Sequence, residues 1–118
     1  MTPTVRAMVF HDPGGPLVEE ELRLADLRDD LVRVRICASG VCGSDLHVVD
    51  GDWTTPAPLV LGHEGSGIVE EVGPGAKDVG PGDRVVLSWF APCRRCTECA
   101  RGRAWLCQNT KSLKNTLP

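Results

Sequence analysis

Four cysteines of this chain lie within fifteen residues, in the stretch CRRCTECARGRAWLC. Cys93, Cys96 and Cys99 follow the spacing C-x-x-C-x-x-C, and Cys107 comes after seven further residues. Each C-x-x-C pair can turn both sulfurs toward one ion, and four thiolates with no open position are typical ligands of structural zinc. We therefore expect residues 91–108 to form a closed, non-catalytic lobe around one zinc ion.

Other chemistries also use clustered cysteines. Bacterial ferredoxins begin with C-x-x-C-x-x-C, but their fourth cysteine follows after three residues and precedes a proline. Here the gap is seven residues and Gln108 follows Cys107, which disfavours an iron–sulfur electron carrier. Disulfides are rare in reducing compartments, and free buried thiols would not require this spacing. The intervening cations would offset the negative charge of four thiolates around zinc: Arg94, Arg95, Arg101 and Arg103.

The size and charge of the chain disfavour several classes of partner. Its 118 residues are enough for one domain. With 13 basic and 16 acidic residues, its net charge of −3 gives no field that would gather nucleic-acid phosphates. The sequence has neither a secretory signal at its start nor a stretch approaching about 18 consecutive apolar residues. We expect a soluble, cytoplasmic protein that binds neither nucleic acid nor membranes.

Turn residues and alternation predict a mainly β fold, either a barrel or a sandwich. Glycine and proline fall in bursts such as DPGGP and GPGAKDVGPGD, which are typical of turns between short strands. The segments LVRVRIC and RVVLSW place apolar residues at every second position, as half-buried strands do. Cys37, on the first of them, is expected in the core. CGSDLHVVDG predicts a short helix capped by Ser44 or Asp45, and QNTKSLKNTLP predicts a connection.

A second group of metal-binding residue types lies upstream of the cysteine lobe. Cys42 stands in GVCGSDLH, and His63 and Glu64 stand in GHEGSG. A thiolate, an imidazole and a carboxylate are what zinc uses when one position stays open for water or substrate. Taken singly, Cys42 and His63 are more often buried structural residues and Glu64 a solvated charge. The glycines around them favour tight turns or close approach of the backbone to a ligand.

Three motifs in this order resemble the zinc-dependent alcohol dehydrogenases of the medium-chain dehydrogenase/reductase family: GVCGSDLH, then GHEGSGIVEEVGPGA, then the cysteine lobe. The resemblance implies a GroES-like, partly open β-barrel with short helices and a zinc-binding lobe. It also implies a following Rossmann domain that binds NAD(P). Residues 1–118 would then be the GroES-like catalytic domain of a truncated chain that lacks the Rossmann domain.

The resemblance also assigns roles to single residues. Cys42 and His63 match two of the three protein ligands of the catalytic zinc, and Glu64 matches a carboxylate that can exchange onto the metal. Ser44 matches the hydroxyl that takes the proton of the alcohol, and His47 the imidazole that passes it through the cofactor ribose to solvent. Imidazole titrates near neutral pH, which suits proton export. A helix cap for Ser44 and a solvated surface position for His47 remain compatible with these roles.

Two tryptophans fall where the family places side chains of the substrate pocket. Trp53 and Trp89 would narrow that pocket and favour small alcohols or aldehydes, although core packing explains either ring equally well. Trp105, inside the lobe, is expected to have a structural role. Asp45 is expected to orient the loop that carries Cys42.

The sequence departs from the family pattern in two ways. It has no cysteine for the third ligand of the catalytic zinc, and no G-x-G-x-x-G follows a predicted strand. We expect the barrel to stay open and its strand edges to favour homo-oligomers. The parent enzyme would oxidise an alcohol reversibly with NAD(P), whereas the fragment alone would be inactive. The alternative is a non-catalytic zinc-binding module.

Overall fold

A computed structural model describes residues 3–110 of the chain, and within them two antiparallel sheets of three strands each dominate the fold. The strands are β1 (Thr4–Phe10), β2 (Val18–Arg23), β3 (Val32–Ser39), β4 (Leu59–Val60), β5 (Gly65–Val72) and β6 (Arg84–Val86). The helices are α1 (Gly43–Val49), α2 (Thr97–Ala100) and a short 3-10 helix (Ala104–Leu106). The connection predicted over QNTKSLKNTLP lies outside the described residues from position 111 onward.

The first sheet, in the order β2-β1-β4, contains most of the hydrophobic core. The DPGGP segment joins β1 to β2, which pair in register from Thr4 to Val9. Phe10 and Leu59 lie opposite each other on β1 and β4 and are 2% and 1% exposed. Val48 of α1 packs against both side chains. Burial of one such side chain contributes about 1.5–3 kcal/mol, so this contact fixes α1 on the sheet.

The second sheet, in the order β3-β5-β6, leads into the metal-binding segments. β3 and β5 pair antiparallel with two register shifts, the second between Ile36 and Ala38. Gly67 of β5 lies so close to the carbonyl of Arg35 that a Cβ atom there would collide with the backbone. The close pairing of β3 and β5 places the beginning of β5, next to His63 and Glu64, beside the end of β3.

The mainly β prediction is confirmed, and the two sheets do not close into a barrel within residues 3–110. The prediction for Cys37 is wrong, because the half of β3 that follows Val34 is exposed and Cys37 with it. Period-two alternation therefore identified the strand without showing how much of it is covered. Trp105 is likewise 65% exposed, which does not fit a packing role in the lobe.

The short helix predicted after β3 exists but begins earlier than expected. Cys42, not Ser44 or Asp45, is its N-cap residue. The Asp45 carboxylate accepts a hydrogen bond from the backbone N–H of Cys42, which is one half of a capping box. None of the helices in the described part of the chain has the length and apolar character needed to cross a membrane.

Candidate metal centres

The four cysteines of the lobe come together as one donor set. The sulfurs of Cys93, Cys96, Cys99 and Cys107 all lie within 4.8 Å of one another, and all four residues are half-buried. The sulfurs of Cys96 and Cys107 are 4.0 Å apart. Zn–S bonds of about 2.3 Å in a tetrahedron place sulfurs about 3.8 Å apart, so the cluster fits a zinc ion with little adjustment.

Backbone N–H groups of the lobe point at these sulfurs. The N–H of Cys93 donates to the sulfur of Cys107 at 3.2 Å, and the N–H of Cys96 donates to the sulfur of Cys93 at 3.3 Å. The N–H of Asn109 donates to Cys107 at 3.4 Å. Arg94, in the turn between Cys93 and Cys96, adopts a left-handed conformation with a φ of 58°. The turns between the cysteines thus supply donors that stabilise thiolates.

The pKa values of two cysteines in the lobe are shifted in opposite directions. Hydrogen bonds from the backbone N–H groups of Arg95 and Cys96 lower the pKa of the Cys93 thiol to about 6. Desolvation raises the pKa of Cys99 to about 12. The raised pKa favours the protonated Cys99 thiol, and a metal ion that binds its sulfur has to displace that proton.

The arginines of the lobe are engaged by carboxylates. Arg103 lies 3.2 Å and Arg101 3.5 Å from the carboxylate of Glu98, whose side chain is 18% exposed. Arg94 pairs with Asp78 at 3.1 Å. These three arginines therefore pair with carboxylates, so the charge compensation expected from them does not act through direct contact with the sulfurs. Backbone N–H groups donate to the sulfurs instead.

The second predicted set, Cys42, His63 and Glu64, also comes together, with one donor atom from each within 4.8 Å of the others. Cys42 caps α1, while His63 and Glu64 precede β5. The N–H of Gly40 donates to the carbonyl of Glu64 at 3.2 Å, and the Glu64 carboxylate lies where a Cβ atom of residue 40 would stand. A set of one sulfur, one nitrogen and one oxygen leaves a fourth position open, as in catalytic zinc sites.

Cys42 and His63 are also coupled to each other. Hydrogen bonds from the Ser44 hydroxyl, from the Ser44 N–H and from His63 lower the pKa of the Cys42 thiol. The bond to Cys42 raises the pKa of His63, with a smaller contribution from the charge of Asp45. Both shifts favour a thiolate next to an imidazolium, which is the arrangement a metal ion would replace by binding the sulfur and one ring nitrogen.

Asp45 contacts both Cys42 and His63, and only the contact with the Cys42 loop was predicted. Its Oδ2 accepts from the N–H of Cys42 at 3.0 Å, as expected for orienting that loop, and its Oδ1 lies 3.4 Å from Nδ1 of His63. Its side chain is 13% exposed. A carboxylate on the far nitrogen of a histidine ligand fixes the ring so that Nε2 points to the metal. The contact with His63 was missed because it joins segments that are distant in the sequence.

A cavity of about 200 Å³ opens beside the second set. Its lining includes Ser44, His63 and both indoles predicted for the pocket, Trp53 and Trp89. The rings of His63 and Trp89 have centroids 4.5 Å apart. Trp53 and Trp89 are 48% and 47% exposed, so these rings line an open pocket and are not packed in the core.

His47 lies behind this wall and does not line the cavity. Its ring stacks on Trp53, with centroids 5.1 Å apart and planes inclined by 25°. Its Nδ1 lies 2.8 Å from Oδ2 of Asp52, and its side chain is 51% exposed. The surface position considered for His47 is therefore correct, and it is compatible with a role in proton export. Asp52 was not identified from the sequence, because acidic residues in surface loops are common.

Comparisons with known proteins identify relatives of this chain. A family model described as the alcohol dehydrogenase GroES-like domain matches residues 28–116. The NDMA-dependent alcohol dehydrogenase of Amycolatopsis methanolica is 46% identical over 102 residues, which cover 86% of this chain. The matched region is 28% of that relative, so the chain spans less than a third of its length.

Solved structures give the same result for the fold. An alcohol dehydrogenase zinc-binding domain protein from Burkholderia ambifaria is 42% identical with a TM-score of 0.82, over 92% of this chain and 29% of the other. A Sinorhizobium meliloti protein solved bound to NADP is 31% identical with a TM-score of 0.73, over 96% of this chain and 33% of the other. The matched family model and these relatives establish that this chain belongs to the alcohol dehydrogenase family, as its GroES-like domain.

Proposed function

We propose that this chain is the zinc-carrying catalytic part of an NAD(P)-dependent dehydrogenase that interconverts a small alcohol and its aldehyde or ketone. The observation that carries the proposal is the open set of Cys42, His63 and Glu64 beside a cavity that the Ser44 hydroxyl and two indoles line. The closed four-sulfur set fits a structural ion alone. A neighbour solved with NADP supports a nicotinamide as hydride acceptor.

Zinc at the open set would act as a Lewis acid that lowers the pKa of an alcohol hydroxyl. The residues around it divide the remaining tasks. Ser44, whose Oγ lies 3.4 Å from Nε2 of His63, would hydrogen-bond the substrate hydroxyl and receive its proton. His47, half exposed, would release that proton to solvent. Asp45 would keep the His63 ring in place during the reaction.

The shape of the cavity supports a small substrate. Its volume of about 200 Å³ is below the range of about 300–1,000 Å³ that drug-sized ligands need. Trp53 and Trp89 present flat apolar walls. An alcohol with a short apolar group would bury that group between the indoles and turn its hydroxyl toward Ser44.

We place the protein in the cytoplasm, because cysteine ligands stay reduced there. All six cysteines of the chain are free thiols in the structure. The hydride acceptor would be bound by a separate nicotinamide domain of the whole protein.

An assay of the whole protein that contains this chain tests the proposal. Oxidation of a series of short primary and secondary alcohols with NAD and with NADP should give the reduced nicotinamide. Zinc should be present at two ions per polypeptide, with one lost in Cys42→Ser. Two bound zinc ions without turnover of any alcohol or aldehyde would favour the non-catalytic zinc-binding module instead.

A further inference from the structure

The pairing of His47 with Asp52 determines which ring nitrogen carries a proton. Nδ1 of His47 lies 2.8 Å from Oδ2 of Asp52. An ionised carboxylate can only accept hydrogen bonds, so a neutral His47 must keep its hydrogen on Nδ1 to make this contact. Nε2 is then unprotonated and is the nitrogen that can accept a proton.

The backbone builds this pair at the end of α1. Gly51 adopts a φ of 85°, and its N–H donates to the carbonyl of Val48 at 3.2 Å. The chain then turns back along the helix, and the N–H of Trp53 donates to the carbonyl of His47 at 3.1 Å. A Cβ atom on Gly51 would also lie 2.9 Å from the Cβ of Pro13. Asp52 is therefore placed beside His47 by a turn that requires glycine, and not by its own side chain alone.

The same turn brings the indole of Trp53 onto the His47 ring. The centroids are 5.1 Å apart with planes 25° from parallel. Trp53 also lines the cavity that contains Ser44 and His63. The imidazole thus lies behind a wall of the pocket, and whatever fixes the imidazole also limits how the indole can move.

We propose that Asp52 is a positioning residue: it fixes His47 in the Nδ1–H tautomer and, through the stacked rings, holds the Trp53 indole against the cavity. The value of this tautomer for proton release rests on the function proposed above. In that reaction Nε2 receives the proton, Nδ1 keeps its own, and the imidazolium that forms lies beside the Asp52 carboxylate until Nε2 releases the proton to water.

Nuclear magnetic resonance of the ¹⁵N-labelled chain tests the tautomer directly, without metal or cofactor. Spectra that correlate the ring nitrogens with the carbon-bound ring hydrogens distinguish Nδ1–H from Nε2–H. They are recorded at pH about 9, where an ordinary histidine with a pKa of about 6.5 is neutral, and at low salt, which preserves exposed ion pairs. His11 is an internal reference, because its Nε2 lies 2.5 Å from Glu20 and should carry the hydrogen.

We expect His47 to show the Nδ1–H pattern and His11 the Nε2–H pattern in the same spectrum. In Asp52→Asn, His47 should lose that pattern and show averaged nitrogen resonances of both tautomers. The nuclear Overhauser contacts between the His47 and Trp53 rings should weaken at the same time. Asp50→Asn is the matched control, since it removes the same charge two residues away, and Asp52→Glu should restore the pattern at least in part.

Two results would overturn the proposal: an Nε2–H pattern for His47 in the wild-type chain, or an unchanged His47 pattern in Asp52→Asn. Equal effects of Asp50→Asn and Asp52→Asn would also contradict it, because they would show a general effect of charge. Backbone amide spectra of each variant identify any loss of folding. The zinc content and activity of the whole protein do not enter this test, so its failure would leave the proposed function standing.

Discussion

The hydroxyl of Ser44 and the imidazole of His63 meet across nineteen residues of sequence, with Oγ 3.4 Å from Nε2. Ser44 lies in the first turn of α1, and His63 lies two residues before β5. The packing of Val48 against Phe10 and Leu59 holds that helix in place. The core of the first sheet is thus what places a hydroxyl beside the open donor set.

Replacement of Cys96 by serine should release the zinc of the lobe. Structural zinc sites contribute about 10–16 kcal/mol of apparent binding free energy at neutral pH, and serine at position 96 removes one of the four sulfur donors. Metal analysis after dialysis should show one ion fewer per chain. Circular dichroism should keep the strand signal, since the sheets do not include the lobe. Cys37→Ser, at an exposed thiol outside both donor sets, is the control. Full zinc content in Cys96→Ser would rule out the closed site.

The chain by itself should keep one zinc ion through dialysis, and that ion should be in the lobe. The open set offers one thiolate, one imidazole and one carboxylate, and so holds its metal with less charge than four thiolates do. Inductively coupled plasma analysis should give about one zinc per chain. Cys42→Ser should not change this value. A value near two would show that Glu64 completes a tight site, and NADH formation from any simple alcohol would contradict the expected inactivity of the chain.

Alkylation of the metal-free lobe should begin at Cys93 and end at Cys99. With its pKa lowered to about 6, Cys93 is mostly thiolate at neutral pH, and this reactivity falls as the pH drops through that value. Cys99, with a pKa raised to about 12, stays protonated and unreactive. Mass spectrometry of iodoacetamide-treated chain gives the order of modification. Added zinc should protect all four cysteines equally, and random modification of the metal-free lobe would contradict the assigned hydrogen bonds.

Replacement of Ser44 by alanine in the whole protein should reduce kcat for the proposed alcohol oxidation by roughly 10²-fold or more, because the proposed proton acceptor is lost from the cavity. Zinc content should not change, since Ser44 is not among the metal donors. Ser39→Ala, on β3 outside the cavity, is the control. His47→Gln should give a smaller loss that small imidazole buffers partly restore. Equal activity of Ser44→Ala and wild type would remove Ser44 from the reaction.

Replacement of Asp45 by asparagine should weaken metal binding at the open set by about 10–100-fold, because the His63 ring loses the carboxylate that orients it. The same change removes a helix-capping acceptor from Cys42. Cobalt binding, followed by its visible absorption, measures the open set separately in a zinc-loaded lobe. Asp50→Asn in the same segment is the control. Unchanged cobalt affinity would show that His63 is oriented by other contacts.

The sequence predicted the features that depend on short spacing. The donor set of Cys93–Cys107 and the pattern of strands follow from residues only a few positions apart. The contact of Asp45 with His63 and that of His47 with Asp52 depend on how α1 sits on the first sheet and how Gly51 turns the chain. The exposure of Cys37 depends on what covers β3, and alternation along one strand carries no information about its neighbours.

Glycine at position 40 has a consequence for the number of ligands that a metal ion would find. The Glu64 carboxylate lies in the volume that any larger residue 40 would fill, so glycine at this position leaves room for Glu64 when it does not bind a metal ion. A larger residue 40 would displace the carboxylate from this volume. The coordination number at the open set would therefore depend on residue 40, which has no side chain and is not among the metal donors.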